Sequence, residues 1–389
     1  MNGLAASLAR FDRWAKDGLA RTAARLLWVG SLPRAPERLL VYRIGNIGDV
    51  VTAVPALAAL RGRFPRADIR LLTSPGSREA PGAHHVLSGS ALVDELKVYY
   101  RDDIRSLRGI RGLARWGREF RPDLFIDLSH NLQGLRAALR VVAFAKAAGA
   151  RAFLGGRVST SPLFYRAQAK TARWPYDARR TLRLLAPLGI DVEAPLEFPL
   201  PRPAESIRRV DELLGDDPRP PICLAPGAKR PANRWPRERF AQVGRALAER
   251  RGARVFVLGG PAERELSRRV AGDIPGAAAV AGDFSVLDTV ELLRRAHLLV
   301  TNDTGTLHLG AAAGAPTVAV FSARDLAYKW FPEGPGVRVL RAQPPCAGCR
   351  RPACAEPICM TGIEVAHALS ACDELLDEPR DRAGREAAG

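Results

Sequence analysis

Short apolar runs alternate along the chain with stretches of helical period. Leu39-Leu40-Val41-Tyr42-Arg43-Ile44, Ile69–Thr73 and Leu124–Leu128 are such runs in the first half, with a helical stretch from Val50 to Arg61. In the second half the runs are Ile222–Ala225, Val255–Leu258, Leu298–Thr301 and Thr317–Phe321. Helical patterns separate them at Glu238–Arg250, Glu263–Ala271, Val286–Arg295 and Leu307–Ala313. Strands this short and this apolar, alternating with helices, predict parallel sheets covered on both faces. The expected fold class is therefore α/β, two Rossmann-like doubly wound domains facing each other. The first spans residues 37–195 and the second 222–345, joined by a Pro-rich linker over 196–221. In such sheets ligands bind outside the carboxyl ends of the strands, so the turns there carry the chemistry.

Two further segments flank this pair. In residues 1–36, Leu8, Phe11, Trp14, Ala15, Leu19, Ala23, Leu26 and Leu27 fall near helical spacing among Arg10, Arg13, Lys16, Arg21 and Arg25, and Pro33 and Pro36 end the segment. A basic amphipathic N-terminal helix of this kind either lies on an anionic membrane surface or packs along a domain edge. Residues 346–389 hold a Cys cluster, a C-terminal helix and a charged tail from Asp373 to Gly389 expected to be loose.

With 389 residues, 47% hydrophobic and 26% charged, the chain has apolar material for two cores, which excludes a disordered protein. No run of 18 apolar residues and no secretory leader occurs, so a cytosolic protein is expected. The net charge of +18 favours acidic ligands and surfaces. Only six of the 59 cations are Lys, and they form no dense basic block, so no nucleic-acid partner is expected. Four of the six cysteines form Cys346-x2-Cys349-x4-Cys354-x4-Cys359. That spacing suits a structural tetrahedral zinc; an iron–sulfur cluster, free thiols or disulfides are the alternatives. Cys223 and Cys372 read as ordinary buried residues.

Several common signatures are absent: the phosphate-binding G-x-x-x-x-G-K-[ST], G-x-G-x-x-G, H-E-x-x-H, G-x-S-x-G and Asp-x-Asp. Three turns remain. Gly45-Asn46-Ile47-Gly48-Asp49 follows the first strand; its glycines let backbone approach a ligand, and Asp49 is either a helix N-cap or a carboxylate placed to accept a proton from a hydroxyl. Asn302-Asp303-Thr304-Gly305-Thr306 opens a helix whose free amides suit a phosphate; His308, a turn further on, either reaches that ligand or packs structurally. Ala225–Pro236 brings Lys229, Arg230 and Arg234 after a strand end, as a diphosphate contact or a solvated basic loop.

In this order the stretches Arg43–Val51, Ala225–Phe240, Val257–Glu265 and Asn302–Ala311 resemble glycosyltransferase family 9, the lipopolysaccharide heptosyltransferases. The resemblance covers about residues 39–325. It implies a GT-B fold, an inverting transfer from a nucleotide-sugar donor such as ADP-heptose to a lipid-linked saccharide, and work at the inner face of the cytoplasmic membrane. It implies Asp49 as catalytic base on an acceptor-side loop with Gly45, Asn46 and Gly48. On the donor side it implies Asp303 near the sugar, Thr304, Gly305 and Thr306 on the diphosphate, Glu263 on the ribose, and no catalytic metal. Where family members usually carry Lys two residues before the Trp matching Trp235, this chain has Asn233, so Lys229, Arg230 or Arg234 is expected to supply that charge. The rival readings are a sugar-nucleotide epimerase of similar fold and a non-catalytic basic protein binding membrane or nucleic acid.

Overall fold

A computed structural model describes residues 2–28, 31–129, 134–158, 165–171 and 173–378. The chain divides into two units, Met1–Pro199 and Leu200–Gly389.

The first unit runs α1 (Asn2–Leu27), β1 (Arg38–Ile44), α2 (Ile47–Val51), α3 (Val54–Arg63), β2 (Asp68–Gly76), α4 (Ala83–Val86), β3 (Glu95–Tyr100), α5 (Leu107–Phe120), β4 (Leu124–Asp127), α6 (Leu135–Ala147), β5 (Ala152–Leu154), α7 (Tyr165–Thr171) and α8 (Asp177–Arg183). Its strands form a parallel sheet in the order β3-β2-β1-β4-β5. Leu39, Leu40 and Val41 of β1 are all buried because helices cover both faces of the central strand. The single helix expected from Val50 to Arg61 is broken at Thr52–Ala53, where Pro55 in the first turn of α3 restarts it. The N-terminal helix belongs to this unit. Ala9, Asp17 and Ala20 are buried, Asp17 accepts the Val158 N–H at 2.9 Å, and Trp28 stacks on Phe153 with ring centroids 5.1 Å apart.

The second unit runs α9 (Ala204–Leu214), β6 (Pro221–Ala225), α10 (Arg237–Arg251), β7 (Arg254–Val257), α11 (Arg264–Gly272), β8 (Ala278–Ala279), α12 (Val286–Arg295), β9 (Leu298–Asn302), α13 (Gly305–Ala312), β10 (Thr317–Phe321), β11 (Val337–Arg341), α14 (Ile358–Thr361) and α15 (Val365–Asp377). Its parallel sheet has the order β11-β10-β9-β6-β7-β8. Much of the stretch read as a linker is α9, a member of this unit. The C-terminal segment is likewise built into the unit: Met360, Ala368, Cys372 and Leu375 share a core with Val318, Val320 and Trp235. Asp373–Asp377, read as the start of a loose tail, completes α15, whereas residues 379–389 lie outside the described residues.

Each sheet reverses its direction of growth once. In the first, the chain builds outward over β1, β2 and β3, then returns to the other side of β1 with β4. In the second it builds over β6, β7 and β8, then returns beside β6 with β9. Connections leave on opposite faces at these two points, opening a crevice at the carboxyl strand ends. The turns at these points are Gly45–Asp49 after β1 and, after β6 and β9, residues 226–236 and 303–306.

Candidate active site

In the first unit, the turn after β1 is shaped by Gly45, whose φ is +137°, a region that L side chains rarely adopt. A Cβ at Gly45 would collide with the carboxyl of Asp49. Asp49 is the third residue of α2, and its Oδ2 accepts the Asn46 N–H at 2.9 Å. The N-cap, one of the two alternatives for Asp49, is Asn46, with Asp49 closing a capping box from inside the helix. The Asn46 amide donates to the carbonyls of Pro75 (3.3 Å) and Pro81 (3.4 Å), fastening the turn to the segment after β2.

Beneath this turn is a buried ion network. Arg43, 1% exposed, donates from Nε to the Asp49 carbonyl (2.8 Å) and from Nη2 to Thr52 Oγ1 (2.9 Å) and Asp177 Oδ2 (2.7 Å). Arg180 Nε bonds the other Asp177 oxygen at 2.8 Å. Burying these three charges is tolerable because Asp177 pairs with both arginines, and Arg43 in turn fastens the Asp49 main chain. At the end of the neighbouring β4, Asp127 accepts hydrogen bonds from Ser129 and from the Gly156 N–H, and burial raises its pKa. Asp177, Arg180 and Asp127 escape a search for strand-end turns, since α8 is distant in sequence and Asp127 falls inside the run Leu124–Leu128.

In the second unit, Asn302 ties two turns together: its amide donates to the Pro226 carbonyl (2.8 Å) while its Oδ1 accepts the Trp235 N–H (3.0 Å). Asp303 follows, and α13 begins at Gly305 with Thr304 as N-cap, so Thr304, Gly305 and Thr306 stand half-buried at the positive end of the helix. Glu263 accepts the Gly260 N–H at 2.9 Å, and its carboxyl lies where a side chain on Gly227 would otherwise be. Gly227 thereby lets the turn after β6 meet the turn after β7.

Asp303 sits among charges of both signs. Its pKa is pushed up to about 7, first by burial and then by the like charge of Asp325, while Arg230, Arg324 and Lys329 pull the other way. Of the three expected cations, Arg230 acts on this carboxylate; Lys229 is exposed, and Arg234 turns back to donate from Nε to the Ala228 carbonyl at 2.9 Å. Asn233 is buried and donates to Asp303 Oδ2 (3.0 Å) while accepting from Ser322 Oγ (2.7 Å). The residue in the usual Lys position thus holds the carboxylate, and charge reaches it from Arg324 and Lys329, both buried, in the turn after β10. That turn also holds Tyr328 at φ +66°, a strained conformation for a bulky residue. These residues were missed because only three strand ends were read for chemistry; Arg324-Asp325, directly after an apolar strand, was the available signal. His308 is 3% exposed and packs its ring against Trp330, centroids 5.7 Å apart, which is the structural alternative for that residue.

Cys346, Cys349, Cys354 and Cys359 are not joined in disulfides, nor are the buried Cys223 and Cys372. Cys346 and Cys349 add to burial in raising the pKa of Cys359. Among the described residues no group of three or more His, Cys, Asp or Glu side chains stands close enough to hold a metal ion as placed.

The model of glycosyltransferase family 9 (heptosyltransferase) matches residues 119–359. The chain belongs to this family. It is similar to lipopolysaccharide heptosyltransferase 1 of Pseudomonas aeruginosa, 24% identical over 366 residues, covering 88% of this chain and 99% of that one. Among solved structures it is similar to a family 9 glycosyltransferase of Veillonella parvula (TM-score 0.71, 21% identity, 90% of this chain and 100% of that chain). It is also similar to the E. coli ADP-heptose lps heptosyltransferase II (TM-score 0.63, 22% identity, 87% and 98%). The fold is thus GT-B and the protein a glycosyltransferase of the heptosyltransferase family; the epimerase and basic-binding readings find no support in the match. Among the described residues no helix is long and apolar enough to cross a membrane.

Proposed function

We propose that the chain transfers a heptose from ADP-heptose to a saccharide hydroxyl of a lipid-linked, lipopolysaccharide-core-type acceptor, with inversion at the anomeric carbon. The observation that carries this reading is the content of the two sheet-reversal turns: a fixed carboxylate, Asp49, in the first unit, and helix-end amides with cations around Asp303 in the second. Asp49 accepts the proton of the acceptor hydroxyl as its oxygen attacks. The new C–O bond forms as the anomeric carbon–oxygen bond to the diphosphate breaks, and ADP departs with the electron pair. The amides at Thr304–Thr306 and the charges of Lys229 and Arg230 stabilise that departing anion. Glu263 faces the ribose. No step needs a metal.

Names of the relatives, lipopolysaccharide heptosyltransferases, support the donor and acceptor assignments. Helix α1 supports action on the inner membrane face. Leu4, Leu8 and Phe11 recur one turn apart and are 72%, 44% and 66% exposed, on the side opposite the packed Ala9 and Ala20. For the Cys cluster we propose a structural zinc that draws the four thiols together, away from the chemistry.

A panel of ADP-, GDP- and UDP-sugars followed by melting temperature tests the donor. ADP-heptose is expected to raise Tm, since at about 100 times Kd a ligand adds about 2.7 kcal/mol to the native state. A rise with a UDP- or GDP-sugar and none with ADP-heptose would overturn the assignment.

A further inference from the structure

The first unit contains an apolar groove of about 640 Å³ between α5 and α6, a volume within the range of ligand pockets. Its floor is the sheet at Tyr42, Leu72 and Tyr99, and its walls include Ile110 and Leu113 of α5 and Ala143 and Phe144 of α6. The two helices meet near their C-terminal ends, where a Cβ on Gly117 would stand 2.6 Å from the Ala148 Cβ. That contact closes one end. Ahead of it, towards the helix N-termini, the groove stays open between the described residues Ile110 and Ala137. Helices that follow parallel strands run back against them, so this open end lies at the carboxyl ends of the strands. Ile44, which lines the groove, immediately precedes Gly45 of the Asp49 turn.

The lining selects hydrocarbon. The Tyr42 and Tyr99 hydroxyls bond each other at 2.8 Å, and burial raises both pKa values, so the floor stays neutral and its two hydroxyls are satisfied. Among the described residues of the lining, the charged group is Arg140. Asp102 and Asp103, close by Ile104 on the lining, are each paired, to Arg105 at 3.2 Å and Arg78 at 2.7 Å. An apolar trough with a cation on it complements a chain bearing an anionic head, and its start beside the acceptor turn says which molecule brings that chain.

We propose that this groove takes an acyl chain of the anionic lipid-linked acceptor, placing the saccharide at the Asp49 turn. The identity of the acceptor rests on the transferase reading above; the affinity of the groove for an alkyl chain does not.

Alkyl phosphates kept below their micelle-forming concentrations, titrated calorimetrically into the full-length protein, serve as probes. Dodecyl phosphate is expected to bind at one equivalent, with each CH2 between octyl and dodecyl tightening binding roughly three- to fourfold. Ala143→Trp, which fills the groove, and Ile110→Asp, at a position 43% exposed and so tolerant of charge, are each expected to weaken dodecyl phosphate at least about tenfold. ADP-heptose should shift Tm equally in both variants and wild type, which reports the donor reading separately. In transfer assays dodecyl phosphate should compete with acceptor and leave the donor KM unchanged. Absence of saturable binding, affinity without chain-length dependence, full binding by both variants, or binding that leaves the acceptor KM unaltered would each overturn the proposal.

Discussion

The proposed role of Asp49 asks that its carboxylate be held at a fixed place before the substrate arrives, and at the residue scale Gly45 is what makes room for it. Gly45→Ala asks for a side chain both at φ +137° and inside the Asp49 carboxyl. It is expected to lower stability by about 1–3 kcal/mol in denaturant unfolding and transfer by at least about tenfold; activity equal to wild type would remove the turn from the mechanism. Asp303 makes the opposite kind of prediction. Its folded pKa of about 7 lies above its ordinary 3.8, so between these values the folded state keeps a proton that the unfolded state releases. The stabilisation is full below the unfolded pKa, declines as pH rises through the window, and is gone above the folded pKa. Asp303→Asn keeps a carbonyl to accept from Asn233, so its Tm relative to wild type should rise between about pH 5 and about pH 8. A constant difference would show that Asp303 titrates normally. Asp49 and Asp303 could be found in the sequence because each lies within a few residues of an apolar strand end. Asn233, Arg324 and Lys329 converge on Asp303 from two separate turns, and no spacing rule links residue 233 to residue 329.

Strand legibility followed sheet position at the scale of elements. The central strands β1, β2, β4, β6, β7, β9 and β10 are buried on both faces and read as apolar runs. All four edge strands were missed: β3 (Glu-Leu-Lys-Val-Tyr-Tyr) and β11 (Val-Arg-Val-Leu-Arg) are half-exposed and mix charge with apolar residues, and β5 and β8 are only three and two residues long. An edge strand is covered on fewer sides, so the demand for a continuous apolar run relaxes. Helix α1 was legible as an amphipathic helix, while its packing against the first unit through Ala9, Asp17 and Ala20 was one of two open alternatives. Its remaining exposed stripe predicts that co-sedimentation with phosphatidylglycerol vesicles falls about tenfold in Phe11→Glu and further with added salt. Retention equal to wild type would assign the helix to packing alone. For the Cys loop, metal analysis of the purified protein is expected to find about one equivalent of zinc; a metal-free protein would leave the four thiols as ordinary free cysteines.

Over the whole molecule, the same arrangement occurs twice: a parallel sheet that reverses its growth once. A transferase needs two sites of different character, one activating an acceptor hydroxyl and one stabilising a departing diphosphate, and the proposed function assigns one to each sheet. The measurement that bears most directly on that division compares Asp49→Ala with wild type in both turnover and donor affinity. Turnover is expected to fall by about 100-fold or more, the usual worth of a general base, with ADP-heptose bound as tightly as before. Turnover equal to wild type, or a loss of donor affinity matching the loss of turnover, would contradict the assignment of Asp49 as the acceptor's base.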